Sequence, residues 1–335
     1  EYMQQLCVRR WTPQGRFNSL SSALRVPGTA IQERAHDRHL RNGIKVSCYG
    51  LNEMSYRVDN NYCLIVAIRA AAEAGACIRK AWSESRTVHH KGAIDLVTET
   101  DRECEKLIGD ILKREFPEHC FIGEEETAAL GHVPELTNAP TWLVDPVDGT
   151  TNFVHGFPFC CVSIALAVNS KVVVGVVYNP VLDELFHAVD GQGAYLNNTK
   201  ISCSDASDMK SSIFITELGT RRDEPFLDAA FSRIRAMAAE TRGLRSCGSC
   251  ALNLCSVACG RADAYFEIGL GGPWDMAAGA KILEEAGGVA CDPAGGPLDI
   301  MSRRVLGTNA MLKDKCTSIL SGQPLAPDEP RPTTN

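Results

Sequence analysis

The chain of 335 residues carries 34 basic and 41 acidic side chains, a formal charge of −7, with 44% apolar and 22% charged residues. This is ordinary globular composition, which excludes a mostly disordered or collagen-like chain, and the length suits two core-bearing units or one two-part domain. Residues 1–50 hold eight basic and three acidic side chains, so the +5 of that segment leaves −12 for residues 51–335. An acidic body argues against nucleic-acid or anionic-membrane partners, because nothing neutralises phosphate in bulk.

In chain order, residues 1–56 show no sustained apolar period and read as a poorly structured extension. Their Arg- and Ser-containing, acid-poor composition fits a transit segment, a disordered tail or sequence ahead of a start at Met54. Leu64, Ile65, Ile68, Ala71, Ala72, Gly75 and Ile78 recur at three- and four-residue steps, predicting an amphipathic helix that ends near Trp82. A loop over 87–94 precedes a helix at 101–116 with the stripe Leu107, Ile108, Ile111 and Leu112, ended by Pro117. Residues 121–123 form a short strand running into Glu124-Glu125-Glu126, and 141–144 form another.

Segments 160–168, 171–178 and 184–189 read as an antiparallel meander whose first hairpin turns at Asn169-Ser170; 193–197 and 200–203 flank a turn at Asn197-Asn198. Beyond a strand at 211–216, helices are expected at 225–238, 249–259 and 276–286, with strands at 261–268 and 288–291. A Pro-rich, charged tail from Gln323 reads as loose. The pattern is mixed α/β with sheet in both halves, divided near residue 205. No run approaches the ~18–20 apolar residues of a membrane span. The 15 cysteines, scattered through apolar segments, read as buried free thiols of a reducing compartment. The expected location is cytoplasmic, or a plastid or other organelle if residues 1–53 are a transit peptide.

Chemistry concentrates at Trp142-Leu143-Val144-Asp145-Pro146-Val147-Asp148-Gly149-Thr150-Thr151-Asn152. A strand delivers Asp145, Pro146 turns the chain, Asp148 follows, and Gly149 frees the backbone before two hydroxyl residues. Carboxylates beside exposed N–H groups suit hard divalent cations and a phosphate. Alone, such a segment is more often an Asx-turn with a helix cap. Alone, too, three glutamates are usually a solvated face, and Asp275 reads as the N-cap of the helix at 276–286. Each of these acidic points lies at an element end.

Together, Phe121-Ile122-Gly123-Glu124-Glu125, Trp142 through Asn152, and Trp274-Asp275-Met276-Ala277-Ala278-Gly279 resemble the three motifs of the inositol monophosphatase family, Mg²⁺-dependent and lithium-sensitive phosphatases. The similarity runs from about residue 59 to about residue 320. His90-Lys91-Gly92, the many cysteines and Gly271-Gly272-Pro273-Trp274-Asp275 look most like plant members, which also act on L-galactose 1-phosphate. The resemblance implies a layered αβαβα sandwich of the sugar-phosphatase type. It implies that Glu124, Asp145 and the Val147 carbonyl hold one Mg²⁺, that Asp145, Asp148 and Asp275 hold a second, and that a third sits near Glu124 through water. Gly149 and Thr150 correspond to a phosphate cradle formed by their N–H groups, and Asp101 to an aspartate that accepts from the Thr150 hydroxyl. Thr150 and Glu124 would orient the attacking water, with no phosphoenzyme. Asp148, Gly149, Thr150, Asp275, the loop Gly248-Ser249-Cys250 and Glu267 would contact substrate, Glu267 through its hydroxyl groups. A homodimer is also implied.

The chain departs from the family at Lys91, four rather than five residues before Asp95. It departs again at Gly271-Gly272-Pro273, a loop one residue longer than in animal members. The expected reaction is hydrolysis of a small polyol or sugar monophosphate, myo-inositol 1-phosphate first and L-galactose 1-phosphate next. Rival substrates are histidinol phosphate and a nucleotide 3′-phosphate. A silent binding or scaffold protein would be favoured by loss of a carboxylate, and Glu124, Asp145, Asp148 and Asp275 are all present. Cys247-Gly248-Ser249-Cys250 resembles a redox dithiol, but the surroundings such a motif requires are absent.

Overall fold

The computed structural model describes residues 58–83, 88–90 and 96–333. The expectations for residues 1–56 and for Lys91 lie outside them. Helix α1 (Asn60–Trp82) starts where Asp59 accepts the N–H groups of Asn61 and Tyr62, each at 3.1 Å. Cys63, Ala67, Ala70, Ala74 and Ile78 form its buried face. Ile65 and Ala72, expected in the stripe, face water, because they share the opposite helix face with the exposed Arg69 and Ala76. By length and hydropathy α1 would suit a membrane span, yet it packs its small-residue face into the core.

The expected loop at 87–94 is instead entered by an antiparallel hairpin of β1 (Val88–His90) and β2 (Leu96–Thr98). Then follow α2 (Glu99–Glu115), β3 (Cys120–Gly123), α3 (Glu124–Leu130), β4 (Thr141–Asp148) and α4 (Thr150–His155). The meander continues as β5 (Cys161–Val168), β6 (Lys171–Asn179), β7 (Glu184–Val189), β8 (Ala194–Leu196) and β9 (Thr199–Ile201). Asn169-Ser170 and Asn197-Asn198 all take positive φ, as tight two-residue hairpins require. The seven strands β3 to β9 lie side by side in chain order, parallel at β3–β4 and antiparallel elsewhere.

The second half contributes β10 (Ile213–Thr216), α5 (Glu224–Glu240), β11 (Gly243–Arg245), α6 (Cys250–Ala258), β12 (Ala264–Ile268), α7 (Pro273–Glu285), β13 (Gly288–Cys291), β14 (Arg304–Asn309) and α8 (Lys313–Ser321). Their five strands run in the order β11-β10-β12-β14-β13. Helices α1 and α2 cover one face of the seven-stranded sheet, while α6 and α7 lie between the two sheets. Helices α5 and α8 pack together outside the smaller sheet. The fold is thus the expected αβαβα sandwich. The division near residue 205 falls between the two sheets, but α6 and α7 join them in one core. Helix α7 lies so close on β6 that a Cβ at Gly175 would sit 2.6 Å from the Ala278 carbonyl.

The tail is not loose. Ala326 and Glu329 are buried, and Glu329 pairs with Arg233 at 2.8 Å and Arg304 at 3.3 Å, while Arg304 also pairs with Asp292 at 2.8 Å. Two buried guanidinium groups require an anion, and the tail supplies one; composition alone does not show this.

Candidate active site

Along β4 and β5, Asp145 pairs with Ser163 and Asp148 with Cys161, so three steps on one strand match two on the other. The extra residue is a bulge at Pro146-Val147, where proline has no N–H for the ladder. Residues three apart on a regular strand face opposite sides. The bulge turns both aspartates to the α6/α7 layer: the Ser163 hydroxyl donates to Trp274 O at 2.9 Å, and Ser249 reaches Asp148. The strand therefore runs on to Asp148 rather than ending at Val144, and Pro146 makes a bulge, not a turn.

Gly149 follows with φ +89° as the N-cap of α4, and a Cβ there would lie 2.9 Å from Phe159 O and 3.0 Å from Gly248 O. Only glycine fits on both counts. The Thr150 hydroxyl lies 3.0 Å from Asp101 Oδ1 and 3.0 Å from Val147 O. Asp101 is buried on α2 and also accepts the Thr98 N–H at 2.9 Å and the Thr98 hydroxyl. Burial raises its pKa, and the Thr98 and Thr150 bonds oppose the rise.

Parallel pairing sets Gly123 opposite Val144, so Glu124, the first residue of α3, comes beside Asp145. Asp275 is not the cap of α7. Gly272 holds that place, Pro273 opens the helix, and Asp275 in the first turn accepts the Gly271 N–H at 2.7 Å through Oδ2. Proline at the first helical position starts the helix earlier than periodicity indicates.

The carboxylates converge. Burial, then Glu124, Asp148 and Asp275, push the Asp145 carboxyl well above its usual range. Burial, then Asp148 and Glu124, do the same to Asp275. Asp148 is pushed up to about 6 by burial, opposed by the Ser249 hydroxyl at 2.6 Å and the Ala251 N–H at 2.8 Å, both on Oδ2. Among the described residues, no group of three or more His, Cys, Asp or Glu is already arranged as a metal cage. None of the described ion pairs reaches Asp145, Asp148 or Asp275 either. Buried all-oxygen donors without a counter-charge fit a hard divalent cation. The Val147 carbonyl already accepts from Thr150 but keeps a second lone pair.

Glu267 on β12 is buried, accepts the Tyr265 hydroxyl, and is pushed well above the usual carboxylate range, mainly by burial. Gly248 is exposed, whereas Ser249 caps α6 and Cys250 is buried beside Glu267 and Asp148. Burial raises the Cys247 and Cys250 thiols, which disfavours the thiolate a redox dithiol needs. The described cysteines are free, but not all are buried as expected: Cys120 is exposed, and Cys77, Cys203, Cys247 and Cys259 are half-buried.

Glu105 escaped the sequence reading. It accepts the N–H groups of Glu125 and Glu126, each at 2.7 Å, and so fixes the start of α3 where Glu124 stands. The signal was its spacing: one turn after Asp101, on the same face of α2. The Asn152 amide, in the central motif but given no role, donates to Phe159 O at 2.8 Å and Cys247 O at 2.6 Å, tying α4 to the second half.

Residues 59–323 match the inositol monophosphatase family. Inositol monophosphatase 3 of Solanum lycopersicum is 55% identical over 251 residues, 75% of this chain and 93% of the relative. Inositol monophosphatase 1 of Bos taurus is 42% identical over 270 residues, 80% of this chain and 97% of the relative. Among solved structures, inositol monophosphatase from Anabaena aligns with a TM-score of 0.69 at 34% identity, over 80% of this chain and 98% of that one. The extragenic suppressor protein suhB from Bartonella henselae aligns with a TM-score of 0.70 at 35% identity, over 78% of this chain and 99% of that one. With matched motifs, layers and length, the chain belongs to the inositol monophosphatase family and is a phosphoric monoester hydrolase.

Proposed function

We propose that this phosphatase hydrolyses myo-inositol 1-phosphate with two or three Mg²⁺ ions per site. The observation that carries the reading is the convergence of buried Asp145 and Asp148 with half-buried Asp275 and Glu124 beside the Gly149–Thr150 helix start. The names of the tomato and bovine relatives support the substrate. Glu124, Asp145, Asp148, Asp275 and the Val147 carbonyl would hold the cations. When bound, the cations supply charge neutralisation of the phosphate and acidify a water. The N–H groups of Gly149 and Thr150, unpaired within α4 because they open it, orient the phosphate. The Thr150 hydroxyl, aligned by Asp101, and Glu124 position the attacking water. Glu267 and the 248–250 loop bind the polyol hydroxyl groups.

L-galactose 1-phosphate is the second reading, favoured by the Gly271-Gly272-Pro273 loop, whose exposed Gly271 donates its N–H to Asp275. The same proposal takes the active form as a homodimer in the cytoplasm, without nucleic-acid or membrane partners. The test compares kcat/KM for inositol 1-phosphate, L-galactose 1-phosphate, histidinol phosphate and adenosine 3′-phosphate in Mg²⁺, with and without lithium. Lithium-sensitive turnover of the first two is expected. A nucleotide preference overturns the reading.

A further inference from the structure

Glu217 follows β10 and is half-buried. Its Oε2 accepts the Ser246 hydroxyl at 2.6 Å, and its Oε1 accepts the Cys247 N–H at 2.6 Å, the Gly248 N–H at 2.8 Å and the Asn253 amide at 2.9 Å. One carboxylate thus gathers three consecutive loop residues and the helix they open. A carboxylate is suited to this, since charge-assisted bonds from N–H groups are stronger than neutral ones.

The opposite side of the same loop is held by Asn152, whose amide donates to the Cys247 and Gly248 carbonyls at 2.6 and 3.3 Å. Gly248 takes φ +80°, and a Cβ there would sit 2.8 Å from Asn152 Nδ2. The Cys247-Gly248 backbone is therefore clamped, its N–H groups by Glu217 and its carbonyls by Asn152. Directly after the clamp, the Ser249 hydroxyl and the Ala251 N–H bond Asp148.

We propose that Glu217 is a positioning residue that sets the 246–250 loop, and through it the orientation of Asp148 and the substrate rim before Glu267. It touches neither cation nor phosphate in this scheme. The assignment rests on the phosphatase reading above for its kinetic consequence, though not for its structural one.

The experiment uses the full chain with Glu217→Ala and Glu217→Gln. Glutamine keeps a carbonyl acceptor, and its amide can donate to the Ser246 oxygen, which both donates and accepts. Alanine removes all four bonds. In Glu217→Ala, deuterium exchange over 247–252 is expected to rise about tenfold or more, with α1 and α2 unchanged. KM for inositol 1-phosphate and the Mg²⁺ concentration for half-maximal rate should each rise about tenfold, more than kcat falls. Glu217→Gln should stay within about threefold of the parent in each measure. A simple loss of fold would lower kcat and thermal stability without that split. Parent-like exchange in Glu217→Ala, or equal impairment of both variants, overturns the proposal. Should the unmodified enzyme leave inositol 1-phosphate intact, the functional reading alone fails, and the exchange measurement still decides the role of Glu217.

Discussion

Ser249 donates its hydroxyl to Asp148 Oδ2 at 2.6 Å across 101 residues of chain, joining the smaller-sheet half to the carboxylate cluster of the larger. The same hydroxyl caps α6 by accepting the Leu252 N–H at 3.3 Å. Asp148 is thus oriented by a residue that also starts a helix.

Ser249→Ala should cost about 1 kcal/mol of stability through the lost cap. It also removes a bond that favours the charged Asp148, so this carboxyl should titrate higher than its present value of about 6. The Mg²⁺ concentration for half-maximal rate should therefore rise more at pH 6 than at pH 8. A pH-independent change would count against the coupling.

Asp145→Asn should abolish turnover while raising the Tm of the metal-free protein by roughly 2–4 °C. The Val147 N–H can still be accepted, at 2.9 Å in the parent, and the repulsion with Glu124, Asp148 and Asp275 disappears. Because folding raises the Asp145 pKa, the parent is most stable below the unfolded carboxylate value of about 3.9 and loses that contribution as pH rises through the folded value. Melting curves in chelator should show the advantage of the variant growing with pH, and Mg²⁺ should stabilise only the parent.

Thr150→Val keeps the volume and removes the hydroxyl shared by Asp101 and Val147. We expect a kcat loss of about 10²-fold or more, with Mg²⁺ affinity by calorimetry within threefold. Asp101→Asn should give a smaller loss, and the double variant should lose little beyond Thr150→Val if the two act as one unit. Additive losses would separate their roles.

Glu329→Gln leaves Arg233 and Arg304 short of their shared anion. Breaking a buried pair from one side costs about 3–5 kcal/mol, so denaturant unfolding should shift markedly while KM stays unchanged. An unaltered midpoint would mean that the tail contributes nothing to the fold.

Local chemistry made much of the molecule legible. The stripe of α2 and the hairpin turns at Asn169-Ser170 and Asn197-Asn198 each depend on residues a few positions apart, and each appears where expected. Less legible were features whose partners are distant. Helix α8 and strand β14 are short; β14 is held by pairing with β12 and β13, and α8 by packing on the smaller sheet. Glu105 and Glu217 matter through N–H groups 20 and 30 residues away, and nothing in the sequence near either one names those partners.

The sequence by itself determined the family, the acidic residues Glu124, Asp145, Asp148 and Asp275, and a body of charge −12. Tertiary structure decided how those acids face one another. A one-residue bulge at Pro146-Val147 turns Asp145 and Asp148 to the same side, parallel pairing of β3 with β4 brings Glu124 beside them, and α7 lays Asp275 opposite. Strand register and layer packing are set by contacts summed over the whole core, so no local stretch of sequence can fix them.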